Sequence, residues 1–167
     1  MKTTIAILML GILPAVSLAG EGHGMGKMGH GSHDMHGMSD EAHEADTGRP
    51  GDPDRVSRTV EVIMNDNMRF DPAELAFKTG ETVRFVVRND GRISHEMVIG
   101  TVSELKEHAE MMRKMPGMTH EESNMISLDP GESGELVWQF ANTGSFDFAC
   151  LVPGHLEAGM TGKIKVE

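Results

Sequence analysis

The sequence predicts an all-β sandwich with one short inserted helix, preceded by a disordered tail. Three observations carry this reading. Apolar and polar residues alternate along five separate runs between Thr59 and Val166. Turn-forming clusters stand between the runs. One stretch, 101–127, breaks the alternation with helical spacing, and the segment from Gly20 to Asp54 shows no apolar periodicity.

The elements follow in chain order. Residues 1–19 carry Lys2, the apolar run Ile5 to Leu13, Pro14 and the small-residue end Ser17-Leu18-Ala19. That is the pattern of an export signal, and its apolar run is too short to span a bilayer. The expected location is the periplasm, an oxidising compartment, with no membrane anchor. The 167 residues suit one domain with additions. One Cys excludes an internal disulfide, a Cys-rich zinc site and a cluster held by several thiolates. A net charge of −11 argues against nucleic acid as a partner, because phosphate neutralisation needs clustered Lys and Arg.

The tail from Gly20 to Gly48 holds five His, four Met and eight Gly, with no Val, Ile, Leu or aromatic residue. It cannot bury enough apolar surface to offset its ordering entropy, so disorder is expected. Its candidate metal ligands are His23, Met25, Met28, His30, His33, Met35, His36, Met38 and His43. Thioether sulfur favours Cu+ and imidazole serves Cu2+, so their interleaving points to copper in both oxidation states. Arg49-Pro50-Gly51-Asp52-Pro53 reads as a linker that closes this region at Asp54.

The domain is expected over 55–167. Its strand signals are Thr59 to Met64, Glu81 to Arg88, Glu135 to Phe140, Ser145 to Cys150 and Lys163 to Val166. Lys78-Thr79-Gly80, Asn89-Asp90-Gly91 and Asp129-Pro130-Gly131 supply turns. Within 101–127, Thr101 and Glu104 fit a capping box, Ser103 to Met115 lacks Gly and Pro, and Pro116-Gly117 ends the run. Leu105, His108, Met112 and Met115 fall at helical spacing. Packing accounts for this stripe by itself; the competing reading is a second soft-metal surface from His108, Met111, Met112, Met115, Met118 and His120.

Chemistry concentrates in Cys150, His155 and Met160, which form the pattern C-x4-H-x4-M. Thiolate, imidazole and thioether on one loop are a soft donor set for copper, and a type 1 site adds a second imidazole. His95 is the best fit: it starts the strand-like run Met97-Val98-Ile99, whereas His108 and His120 belong to the insert. Pro153, Gly154 and Gly159 let the loop fold back around an ion. A cysteine nucleophile with a histidine base would call for an orienting acid and leaves Met160 and the tail without a role. A thiolate-bridged binuclear centre needs two Cys, and a multicopper oxidase needs His-x-His pairs, of which the chain has none.

At this point the sequence resembles the cupredoxin family. The resemblance covers about Ser57 to Glu167. It rests on V-R-N-D-G-R-I-S-H-E-M-V-I-G, which ends at Gly100, and on F-D-F-A-C-L-V-P-G-H-L-E-A-G-M-T-G-K-I-K-V, which ends at Val166. It is most similar to periplasmic cupredoxins linked to copper tolerance, with a His/Met-rich leader and a Met-containing helical insert. The resemblance implies a Greek-key sandwich of about eight strands and one type 1 copper. It implies His95, Cys150 and His155 as equatorial ligands and Met160 as the axial one. Many electron-carrier cupredoxins have Asn directly after the first His, tying two ligand loops together. Here that position is Glu96, and Ser94 is expected to supply some of the missing hydrogen bonding.

Three functions are compatible with this reading. The first is copper tolerance by binding, buffering or redox conversion of periplasmic copper, which the tail and the resemblance favour. The second is a soluble blue-copper electron carrier, which needs no tail. The third is an enzyme such as a cuprous oxidase; four protein donors with no second copper cluster make it the weakest. Besides copper ions, the expected partner is a periplasmic redox or copper-transfer protein with a basic surface, complementary to the acidic chain.

Overall fold

The computed structural model describes residues 47–115 and 121–167. The export signal at 1–19, the tail ligands from His23 to His43, and Met118 and His120 lie outside the described residues.

The strands are β1 (Arg49–Pro50), β2 (Arg58–Asn65), β3 (Arg69–Asp71), β4 (Glu74–Phe77), β5 (Thr82–Asn89), β6 (His95–Gly100), β7 (Met125–Leu128), β8 (Ser133–Gln139), β9 (Gly144–Ala149) and β10 (Thr161–Val166). Among the described residues the α-helix is α1 (Val102–Lys114), between β6 and β7, and a single 3-10 turn spans Pro53–Arg55. The strands form two five-stranded sheets, ordered β1-β8-β5-β2-β3 and β4-β10-β9-β6-β7. β2 pairs parallel with β5, and β4 with β10; the other pairings are antiparallel. This is the mostly-β, two-sheet architecture with one short helix that the sequence predicts.

The core lies between the sheets. β5 sends Val83, Phe85 and Val87 inward while Arg88 faces water. Phe70 meets Phe148 edge-on at 4.9 Å, which ties β3 to β9 across the sandwich. Each such side chain removed from water contributes about 1.5–3 kcal/mol.

β6 does not alternate: all six of its residues are buried. It is paired on both edges, with β9 and β7. Met97 and Ile99 enter the inter-sheet core, and Val98 packs on the other face with Leu105 and Ala109 of α1. By the two-residue period of a strand, His95 shares the interior face and Glu96 the helix-covered face.

Three differences from the sequence reading have physical causes. First, residues 47–54 are part of the fold rather than tail and linker. Thr47 is buried, β1 pairs with Gln139 and Trp138, and Gly51 N–H donates to Val137 O. A two-residue edge strand has no periodicity to read. Second, β3, β4 and β7 were missing because each is four residues or fewer, and Met125–Leu128 sits at the end of the stretch read as helical insert. Third, the capping box of Thr101 and Glu104 forms, but the buried face of α1 is Leu105 and Ala109, while Met115 is exposed. His108 sits at the edge of that face, its Nδ1 3.6 Å from Glu122.

Candidate metal centre

Three strand ends and one loop build the site. Cys150 continues the inward face of β9, after Phe146 and Phe148, one residue past the strand end. His95 opens the neighbouring β6. The chain from Cys150 then turns back before β10 begins at Thr161. His155 N–H donates to Val152 O, Ala158 N–H to Gly154 O and Gly159 N–H to Leu156 O. Met160 N–H donates to His155 O at 3.0 Å, and Cys150 N–H to Met160 O at 3.1 Å, so the two ends of the loop are stitched together.

This brings three predicted residues together. One donor atom each from His95, Cys150 and His155 lie within 4.8 Å of one another. Cys150 Sγ is 3.2 Å from His155 Nδ1 and 4.0 Å from His95 Nδ1. The two imidazole rings stand 4.9 Å apart, tilted by 51°. Met160 is fully buried in the same core cluster as Cys150. His95 and Cys150 are also sealed from water, and His155 is 9% exposed, so it alone of the four reaches the surface. Both histidines face the thiol through Nδ1.

Burial sets the protonation of the metal-free site. It pushes the Cys150 thiol up to about 12, against weaker opposing hydrogen bonds from the Glu96 and Val152 backbone. Burial, and then the neighbouring His95, pull His155 below its ordinary value. Both shifts favour the uncharged forms, a neutral Cys150 thiol and a neutral His155 imidazole, which cost less in a dry pocket. The donor set itself, one sulfur thiol, two imidazoles and a thioether, suits copper.

Of the supports around the ligands, the sequence marks only Glu96, and only as a departure from the usual Asn. Glu96 N–H points at Cys150 Sγ at 3.4 Å, and the Glu96 carboxylate accepts Leu151 N–H at 2.9 Å and Ser127 Oγ–H at 3.4 Å. Glu96 thus ties the His95 strand to the Cys150 loop. Ser94 does not supply this tie: its hydroxyl donates to Asp129 at 2.6 Å, in the turn before β8. From β3, Arg69 Nη1 donates to the carbonyls of Ala158 and Gly159, at 3.1 and 3.2 Å. Gly159 is in a left-handed conformation (φ +90°), and a Cβ there would press on the Arg69 guanidinium. Arg113 of α1 pairs with Glu157 at 2.5 Å, and Leu156 packs against the cluster that holds Leu105, Ala109 and Leu151. Asp66, in the β2–β3 turn, stands 3.2 Å from His95 Nε2.

Comparison with known proteins places this geometry. Residues 56–167 match the family described as copper binding proteins, plastocyanin/azurin family. A copper-resistant cuproprotein CopI of Rubrivivax gelatinosus is 52% identical over 150 residues, covering 89% of this chain and 86% of that protein. A protein of the same description from Vibrio cholerae is 33% identical over 170 residues, covering 99% of each. Among solved structures, a reduced auracyanin from Roseiflexus castenholzii shares the fold, with a TM-score of 0.57 at 24% identity, over 67% of this chain and 98% of that one.

Proposed function

The chain belongs to the plastocyanin/azurin family of copper-binding proteins, and from that premise we propose that it is an exported protein that holds one type 1 copper and protects the cell against excess copper. His95, Cys150 and His155 are the equatorial ligands in this reading, and Met160 is the axial one. The observation that carries it is the buried cluster of three donor atoms within 4.8 Å. The printed description of two relatives, copper-resistant cuproprotein, supports the physiological half.

When bound, copper supplies one-electron exchange between Cu+ and Cu2+. The residues around it do the rest. Cys150 gives up its proton on loading, because thiolate rather than thiol is the ligand. The stitched loop and the paired β6 strand keep the donors in place whichever oxidation state is present. The dry surroundings of Cys150 and Met160 keep water from competing for the ion. Four protein donors complete a type 1 set, so the protein acts by binding copper rather than by turning over an organic substrate. The tail ligands from His23 to His43 add copper capacity beyond the single site, and residues 1–19 direct export to the periplasm.

The test is genetic. Cells lacking the protein become copper-sensitive before any respiratory defect appears. A Cys150→Ser copy fails to restore tolerance if the folded site is required, and a copy without Gly20 to Asp46 restores it in part. Normal copper tolerance together with lost electron flow to a terminal oxidase or reductase would replace this reading with the electron carrier.

A further inference from the structure

We propose that Asp66 is the positioning residue of the metal centre: its carboxylate accepts the hydrogen bond from Nε2–H of His95, which fixes that ring's tautomer and leaves Nδ1 as the donor atom facing Cys150. The inference rests on the copper-site reading above.

A neutral imidazole carries one N–H, and the nitrogen that binds a metal is the one without it. His95 Nδ1 faces Cys150 Sγ at 4.0 Å, so its proton belongs on Nε2. That edge is buried, with the side chain 0% exposed, and a buried N–H needs an acceptor. Asp66 Oδ1 is there at 3.2 Å. Asp66 stands 29 residues away in sequence, outside both ligand-bearing segments.

Asp66 is itself held. The Arg92 backbone N–H donates to both of its oxygens, at 2.9 and 3.0 Å. Its turn is closed by Met68 N–H to Asn65 O and by Asn67 N–H to the Asn65 side chain. A Cβ on Gly91 would lie 2.1 Å from Asp66 Oδ1, so the chain before His95 is glycine where the carboxylate passes. The carboxylate also keeps a face in water, with its side chain 40% exposed, so its charge is not stranded in the core. Two loops that neither carry nor flank the Cys150–Met160 segment are thus locked around one hydrogen bond.

A carboxylate on the far nitrogen makes a ligating imidazole a stronger donor, and such outer partners change metal affinity 10- to 100-fold. The stronger donor favours Cu2+ over Cu+. Asp66→Ala is expected to weaken Cu2+ binding about tenfold more than Cu+ binding, which is a rise in reduction potential of about 59 mV. Asp66→Asn keeps an acceptor oxygen without the charge and gives a smaller rise.

The deciding experiment has a metal-free arm. Long-range 1H–15N NMR of the metal-free wild type is expected to show His95 protonated on Nε2 only. Asp66→Ala gives a mixture of tautomers, and Asp66→Asn retains Nε2–H. His95 still solely Nε2-protonated in a folded Asp66→Ala protein, with an unchanged Cu2+/Cu+ affinity ratio, overturns the proposal. If the alanine variant does not fold, Asp66→Asn decides: a raised potential supports the assignment and an unchanged one overturns it. The metal-free arm does not involve copper, so a wild type without a thiolate–copper band would sink the copper reading while the tautomer still decided the role of Asp66.

Discussion

His95 and the segment from Cys150 to Met160 reach the same few ångströms by different routes. The segment is local. Its three candidate ligands sit on one turn-rich stretch, its ends are joined by hydrogen bonds between Cys150, His155 and Met160, and Arg69 of β3 and Arg113 of α1 both hold it. His95 is delivered by the first residue of a strand paired on both edges, and its orientation depends on Asp66 and on the Glu96 tie. One half of the site is a loop that must be held still, and the other is a rigid strand whose side chain must be aimed. Variants should therefore fail in different ways on the two halves.

The largest effect is expected from Cys150→Ser. It removes the only thiolate, so the intense visible absorption of the Cu2+ form disappears and copper affinity falls by more than the ~100-fold typical of a lost outer partner. The metal-free protein should still fold, losing about 1–3 kcal/mol because serine buries a hydroxyl where Cys150 packs as a small apolar residue.

Next comes pH. Loading displaces the Cys150 proton, whose folded value is about 12, so apparent copper affinity should rise about tenfold per pH unit between pH 7 and 9, read by competition with a chelator. Stability of the metal-free protein runs the other way at high pH. The unfolded thiol ionises from 9.0, below the folded value, so the unfolded state loses its proton first and stability drops above pH 9 by about 1.4 kcal/mol per unit. At low pH the sign follows His155. Its folded value lies below 6.5, the unfolded chain takes up the proton first, and stability declines as pH falls under 6.5. Denaturant midpoints across pH 5 to 11 check both arms.

Arg69→Ala should loosen the loop half alone. Copper affinity falls about tenfold and stability by about 1 kcal/mol, while the His95 ring signals stay unchanged. Met160→Leu conserves volume, so stability changes by less than ~1.5 kcal/mol. The visible band persists and the potential rises, because a weak axial donor to Cu2+ is gone. Arg113→Ala should do least, below ~1 kcal/mol, since both partners of the pair are about half exposed. An affinity loss from Arg113→Ala as large as that from Arg69→Ala would show that α1, not β3, holds the loop.

The same contrast explains what was legible in the sequence. The spacing of Cys150, His155 and Met160 is short-range, and so is the alternation of Val83, Phe85 and Val87, so both could be read directly. His95 could be singled out because the strand run beside it is apolar and the competing histidines lie in the insert. Asp66, Arg69 and Arg113 could not be found: each acts across 29 or more residues, through contacts that exist only once the two sheets have closed. Glu96 was visible as a departure but its effect was not, because only the fold shows that its carboxylate reaches Leu151 and Ser127. Arg49–Pro50 looked like a linker because pairing with the edge of β8 leaves no trace in so short a segment.

The most direct test adds Cu2+ in small steps to the protein without Gly20 to Asp46, which leaves the buried Thr47 in place, and records visible absorption with electron paramagnetic resonance. The account predicts an intense thiolate-to-copper band that saturates at one copper per chain, with a single copper signal, and no band in Cys150→Ser. Copper that binds without the band, or a band that survives Cys150→Ser, would contradict it.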